Sequence, residues 1–295
     1  MLHIIIHTLP YELNALEQTL IQLKRSSQYL NENHKVRIEV LLNMNLVNWN
    51  LSKLGRWFFE SAFHQLIKLN SDWAECVLRI DDIAQFLGCN DLRRYTIRTT
   101  DADYIMYLDT DVVFNDTFIR RVFDSIEAAT NPLCIITPQL TRMWDNTWDI
   151  VSNESFFNEE ANHENYFNRD PYKAVQFRAE VNLKPIQGFK FAGWGTTLST
   201  KLARLIDIPD ALGPYGLDDT FIMYGCEILK KHNIHPQQYV IENELVIENN
   251  KFRLEYFKDL LTLIDRKEEF TKAANNNFQS ELIKLNERLT NRQSN

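Results

Sequence analysis

Long apolar runs are missing from these 295 residues. The first candidate, Leu2-His3-Ile4-Ile5-Ile6, is too short to cross a bilayer and has neither a basic n-region nor a cleavage site. No transmembrane helix is expected, and the reading is a cytoplasmic chain, with peripheral membrane association left open. An excess of positive charge is missing too: 32 Lys and Arg face 40 Asp and Glu, for a net charge of −8. That excludes broad electrostatic binding to nucleic acid, though not a local basic groove. Paired cysteines are absent. Cys76, Cys89, Cys134 and Cys226 stand far apart with no Cys-x-x-Cys, which argues against zinc and dithiol chemistry and for reduced thiols. There is no internal repeat. Glycine is scarce, at 8 residues, in a chain biased toward Asn, Ile and Lys, and that bias carries no functional reading.

What is present is enough apolar material for a core. The 44 % of hydrophobic residues can fill one large domain or two smaller ones. Strand and helix patterns alternate through the first half. Strands are expected at 2–8, 36–42, 76–80, 104–108 and 133–137, with helices at 14–30, 57–69, 91–99 and 116–129. This alternation predicts an α/β fold with a mostly parallel central sheet flanked by helices. From Leu140 to Leu183 the pattern gives way to an aromatic-rich insert, with Trp144, Trp148, Phe156, Phe157 and Tyr166, which reads as a functional lid. Order returns at 189–199, in a helix at 200–206, in a helix ending near Lys231 and in a strand or hairpin at 238–247. Residues 251–295 read as a helical C-terminal extension, either a frayed tail or a partner contact. The domain reading is therefore a catalytic unit over 1–250, split near 138 into a donor half and an acceptor half, followed by 251–295.

One segment carries the chemistry. In Tyr104-Ile105-Met106-Tyr107-Leu108-Asp109-Thr110-Asp111 an apolar run ends in two carboxylates at i, i+2. A strand buried on both faces explains the run, and Asp109 and Asp111 then emerge at its carboxyl end, where open α/β sheets bind ligands. Two hard oxygen ligands suit a divalent cation that keeps open positions for a diphosphate. The competing reading is a turn or cap, since Asp-x-Asp is common. A second acidic pair follows the turn Gly213-Pro214 in Gly216-Leu217-Asp218-Asp219, at a helix start where Asp is also a good N-cap.

These features together resemble glycosyltransferases of the GT-A fold, in the family-2-like group that uses nucleotide-sugar donors. Asp109-Thr110-Asp111 resembles its Asp-x-Asp motif, Pro10-Tyr11-Glu12 its Pro-x-x-Glu start, Leu92-Arg93-Arg94 its Ala-Arg-Asn segment, and Asp218-Asp219 the pair that supplies its catalytic base. The resemblance spans roughly residues 1–250 and departs in three places. Arg94 stands where Asn is usual, Asn43-Met44-Asn45 replaces an Asp cluster after the second strand, and Val246-Ile247-Glu248-Asn249 has no metal-binding His. His232 and His235 come earlier and read as C-cap or surface residues.

The resemblance implies a metal-dependent, inverting hexosyl- or pentosyltransferase. Mn²⁺ or Mg²⁺ would be held by Asp111, directly or through water with Asp109; alternatively Asp109 contacts the ribose. Arg93, ahead of Arg94 or Arg98, would face the diphosphate, the alternative being solvation on a helix surface. Thr8, Pro10 and Glu12 would border base and ribose, and Asp81 or Asp82 would take a base N–H. Asp219 or Asp218 would deprotonate the acceptor hydroxyl. Gly193, Trp194 and Gly195 would line the acceptor side, with a core Trp194 as the competing view. A saccharide or lipid-linked acceptor is implied, a modified DNA base less so, and the oligomeric state stays open. Two alternatives differ in class. Asp109-Thr110-Asp111-Val112-Val113 also resembles the nucleophile motif of haloacid-dehalogenase-type phosphatases, although that motif follows the first strand of its fold. The other is a non-catalytic binding module.

Overall fold

The computed structural model describes residues 1–9, 12–43, 53–81, 86, 88–142, 175, 182–191, 193–248 and 267–293. Strand β1 (Leu2–Thr8) sends Leu2, Ile4 and Ile6 to one face of the sheet and Ile5 to the other, as a period of two demands. The first face is covered by α1 (Leu13–Ser26), α2 (Lys53–Lys68) and α4 (Phe118–Ala128), which bring Leu16, Leu20, Leu23, Phe63, Phe118 and Val122 into one cluster. The second face is covered by α3 (Cys89–Thr99), α5 (Thr200–Ile206), α6 (Asp218–Lys231) and α7 (Lys267–Gln293). A sheet apolar on both faces must be covered on both, and the result is three layers.

The remaining strands are β2 (Val36–Asn43), β3 (Glu75–Asp81), β4 (Tyr104–Leu108), β5 (Val112–Val113), β6 (Cys134–Arg142), β7 (Asn182–Ile186), β8 (Trp194–Ser199) and β9 (Gln237–Glu248). Among the described residues they form, with β1, one nine-stranded sheet in the order β3-β2-β1-β4-β8-β6-β9-β5, with β7 also on β9. The expected parallel sheet is found across β3, β2, β1 and β4. Beyond β4 the sheet is mixed: β8 runs antiparallel between β4 and β6, while β6 and β9 are parallel. Strand β6 runs on to Arg142, past the Thr137 expected from the sequence, because its second half pairs with β9 beyond a register shift at Pro138/Gln139.

The C-terminal helix is neither frayed nor peripheral. Phe270, Ala274, Phe278, Leu282, Leu285 and Leu289 recur at helical spacing and are buried. The Phe278 ring meets Phe221 and Tyr224 of α6 edge-on at 6.0 and 5.7 Å, and Asn277 Nδ2 donates to the Ala211 carbonyl at 2.8 Å. Among the described residues no helix is long and apolar enough to cross a membrane. The aromatics of the insert read from the sequence as a lid (Trp144, Trp148, Phe156, Phe157 and Tyr166) lie outside the described residues, as does Asn249.

Candidate active site

The turn after β4 is held from three sides. The Asp109 amide donates to the Gly193 carbonyl at 2.6 Å. Thr19 Oγ1, on α1, donates to the Thr110 carbonyl at 2.8 Å, and the Phe114 amide donates to Gln22 Oε1 at 2.9 Å. Val112 and Val113 then pair with the end of β9. The Asp109 side chain is 37 % exposed, whereas Asp111 is buried. Gly193 earns its place by lacking a Cβ, because one built there would lie 2.1 Å from Asp109 Oδ2. Gly193→Ala is therefore expected to force the Asp109 carboxylate or the Gly193 backbone to shift and to destabilise the fold by about 1–3 kcal/mol, as overpacking does. Urea melts check it.

Helix α3 brings the positive charge. Its first turn is stitched to the turn before α6: the Asn90 amide donates to the Pro214 carbonyl at 3.0 Å, and Asn90 Nδ2 donates to the Gly216 carbonyl at 3.0 Å. A Cβ at Gly88 would meet the Pro214 oxygen at 2.2 Å, so the seam is close-packed. One turn on, Arg93 Nη1 donates to Asp218 Oδ2 at 2.5 Å, and Arg93 Nη2 lies 3.7 Å from Asp109 Oδ1. The guanidinium sits over the Tyr107 ring, 4.4 Å from its centroid, a cation–π arrangement. Burial works against the Arg93 charge, but the carboxylates of Asp218 and Asp109 outweigh it and raise its pKa.

Arg94 and Arg98 do other work. Arg94 donates to the Ile208, Pro209 and Gly213 carbonyls and pairs with Asp91, which fastens the 207–213 segment. Arg98 pairs with Asp207 and Asp210. Arg94 thus serves packing, and neither Arg94 nor Arg98 faces the acids of the site.

The acidic pair opens α6 after two left-handed residues, Gly216 (φ 91°) and Leu217 (φ 58°). Such a turn favours glycine, and Leu217 is held there at some cost. Asp218 is buried and paired with Arg93. Asp219 accepts the Thr220 amide at 2.6 Å and the Thr220 hydroxyl at 3.2 Å. Burial, and then the neighbouring Asp218 charge, push the Asp219 carboxyl up to about 6, against the pull of Arg93. The two acids therefore divide: one is neutralised by an arginine, and the other is left with the pKa of a base.

The other residues singled out from the sequence fall as follows. Thr8 is buried at the end of β1. Glu12 is also buried and closes the β1–α1 turn, its Oε2 accepting the Leu9 amide at 3.0 Å. Asp81 ends β3 opposite Asn43, with its side chain outside the described residues. Pro10, Tyr11 and Asp82 lie outside them entirely. Trp194 corrects the acceptor reading: it pairs with Leu108 and its side chain is buried in the first core cluster, so it offers no open indole face to a sugar. Gly195 (φ 84°) lies against Phe118, where a Cβ would come within 2.8 Å of the ring, so it too serves packing. Tyr107, the platform under Arg93, was not singled out. The signal was a polar-tipped aromatic inside an otherwise apolar strand, immediately before the acids. Among the described residues no three His, Cys, Asp or Glu side chains gather as a metal cage.

No family model matches the sequence, and neither does any curated protein. Solved structures do match the fold. The crystal structure of S. aureus TarS 1-349 aligns with a TM-score of 0.50 at 9 % identity, over 96 % of this chain and 71 % of that one. S. aureus TarS itself gives 0.51 at 9 %, over 92 % of this chain and 42 % of that one. TarS 1-349 in complex with UDP gives 0.51 at 11 %, over 92 % and 69 %. The shared architecture is GT-A-like, with a central sheet between helices.

Proposed function

We propose that this chain is a glycosyltransferase that moves a hexosyl or pentosyl group from a nucleotide-diphosphate sugar to an acceptor hydroxyl, with inversion. One observation carries the reading: Arg93 reaches Asp218 and approaches Asp109, so the acids after β4 and the acids opening α6 face one guanidinium, beside an Asp219 whose pKa stands near 6. The fold shared with a UDP complex of S. aureus TarS supports a nucleoside diphosphate as the donor's leaving part.

Roles follow from position. Asp219 removes the acceptor proton, its raised pKa matching a base that works near neutrality. Arg93, held over the Tyr107 ring, has N–H groups beyond the one given to Asp218 and stabilises charge on the departing diphosphate. Thr8 and Glu12 shape the end of β1 beside the donor. Asp109 and Asp111 are hard oxygen donors, and Mg²⁺ or Mn²⁺ sites typically combine one or two carboxylates with substrate phosphates, so the residues fit a cation that arrives with the donor. Such a cation, when bound, neutralises the leaving diphosphate. The acceptor is a saccharide or a lipid-linked glycan, reached from the cytoplasm; a modified DNA base fits the −8 net charge poorly.

The strand carrying Asp109 is fourth in chain order and lies between β1 and the antiparallel β8, unlike the first-strand placement of the phosphatase motif. Burying one acid beside another costs stability, which speaks for a catalytic use of the pair over a bare scaffold. The test is a panel of nucleotide sugars assayed with Mn²⁺ and with chelator. Asp111→Asn is expected to remove the Mn²⁺ dependence of nucleoside diphosphate binding without changing the circular dichroism spectrum. A wild-type chain whose UDP affinity ignores Mn²⁺ would overturn the metal assignment. Hydrolysis of p-nitrophenyl phosphate that disappears in Asp109→Asn would overturn the transferase reading.

A further inference from the structure

A cleft of about 610 Å³ opens at the far end of the sheet from Asp109, where β4 begins. Asp101, Asp103, Tyr104, Lys201, Arg204 and Arg292 line it. Its acids are already engaged: Asp101 pairs with Arg37 at 2.6 Å and Asp103 with the Met1 ammonium at 2.8 Å. Its cations are not neutralised in the same way. Arg204 Nε donates to the Ile97 carbonyl at 2.9 Å and Nη2 to the Thr100 carbonyl, bonds that fix the guanidinium without neutralising it, and among the described residues no carboxylate lies within ion-pair distance of it. Among the described residues no carboxylate lies within ion-pair distance of Lys201 or Arg292.

More positive charge stands behind the rim. Arg288, one turn before Arg292 on α7, donates to the Leu205 and Ile206 carbonyls at 2.8 Å. Its pKa is lowered, first by burial and also by the Arg292 charge, against the pull of Asp207. Asp207 is itself held by Arg98. Cations therefore crowd one concave corner of a chain whose net charge is −8. Like charges gathered where the nearby acids are already paired elsewhere cost stability unless something neutralises them.

We propose that this cleft binds a phosphoryl group, at a site separate from the donor site. A phosphate monoester or diphosphate carries more than one charge and several acceptor oxygens, which matches two guanidinium forks and an ammonium better than a carboxylate does. Arg204, already fixed by two carbonyls, loses little freedom on binding. The group belongs either to a soluble phosphate ester or to a phospholipid headgroup.

Inorganic pyrophosphate, titrated with EDTA present so that no divalent cation assists the donor site, is the probe. The wild-type chain is expected to bind it, with affinity falling as salt rises. The double variant Lys201→Gln/Arg292→Gln, at two exposed positions, is expected to lose at least tenfold in that affinity while keeping its melting temperature and its UDP–Mn²⁺ affinity. Sedimentation with phosphatidylglycerol vesicles, against phosphatidylcholine vesicles, assigns the source. Loss of vesicle binding in the double variant points to a headgroup, and pyrophosphate binding without vesicle binding points to a soluble ester. Absence of pyrophosphate and vesicle binding in the wild type, or equal binding in the double variant, overturns the proposal. Because UDP–Mn²⁺ binding is read in parallel, failure here is distinguishable from failure of the transferase reading.

Discussion

Asp219→Asn is expected to lower turnover by about 10²- to 10⁴-fold, the usual range for a general base, while making the folded chain more stable at pH 7. The second half of that expectation separates a base from a structural cap. Asp219 is pushed up to about 6 by burial and by Asp218, so the folded state disfavours its ionised form. Its folded pKa lies above the unfolded value, and the folded state therefore binds more protons between about pH 4 and 6. Stability from this group is present at low pH and falls as pH rises through about 6. Asn cannot ionise and escapes that loss. Urea melts at pH 5 and pH 8 should show the two proteins converging at the lower pH. Wild-type turnover should fall on the acid side of about pH 6, where the base becomes protonated. A destabilised Asp219→Asn with normal turnover would return the residue to the role of a helix cap.

Arg93→Leu has the second large expected effect, and here stability and activity fall together. The change leaves Asp218 buried without its ion-pair partner, a loss of about 3–5 kcal/mol for a broken buried pair. It also removes the cation that lowers the Asp219 pKa, so the acid limb of the pH–rate profile should move upward from about 6. Arg93→Lys is the informative companion. It restores a charge but not the planar fork that spans Asp218 and Asp109, nor the guanidinium contact with the Tyr107 ring. Denaturant midpoints should recover substantially in the Lys variant while donor binding stays weak. Full recovery of donor affinity in Lys would show that charge alone suffices.

The Asp109–Asp111 segment was legible because two local signals coincide, an apolar run long enough for a strand and acids at its end. The parallel half of the sheet was legible for the same reason, since helix and strand patterns alternate there within short reach. Strand direction beyond β4 was not. The buried run Trp194–Ser199 has the same pattern whether it runs up or down, and its antiparallel pairing with β4 joins residues about ninety apart. The roles of Arg93 and Arg94 were equally hidden. They are adjacent on α3, yet one faces Asp218 and the other the 207–213 carbonyls, and only the helix rotation against its neighbours separates them.

Buried ionic groups were missed as well. His3 Nε2 meets Glu39 Oε2 at 3.0 Å, and Arg79 pairs with the other Glu39 oxygen, so two ionisable residues in apolar strands complete each other across the sheet. Burial raises the Glu39 pKa, but His3 and Arg79 outweigh it and lower it. Glu244 is fully buried where β9 shifts register against β6 and is held by Arg121, with burial pushing its carboxyl up to about 7. An ionisable residue flanked by apolar ones within a strand was the visible sign in both cases, but its partner lies on another element and leaves no local mark.

The seam between α3 and the turn before α6 has a dynamic consequence. Asn90 ties to Pro214 and Gly216 through two atoms of its own, and Gly88 admits no gap. Arg93 and Asp218–Asp219 are consequently coupled through that seam and their own ion pair. Under the proposed roles, any motion that parted the donor side from the acceptor side by separating α3 from α6 would first have to break those bonds.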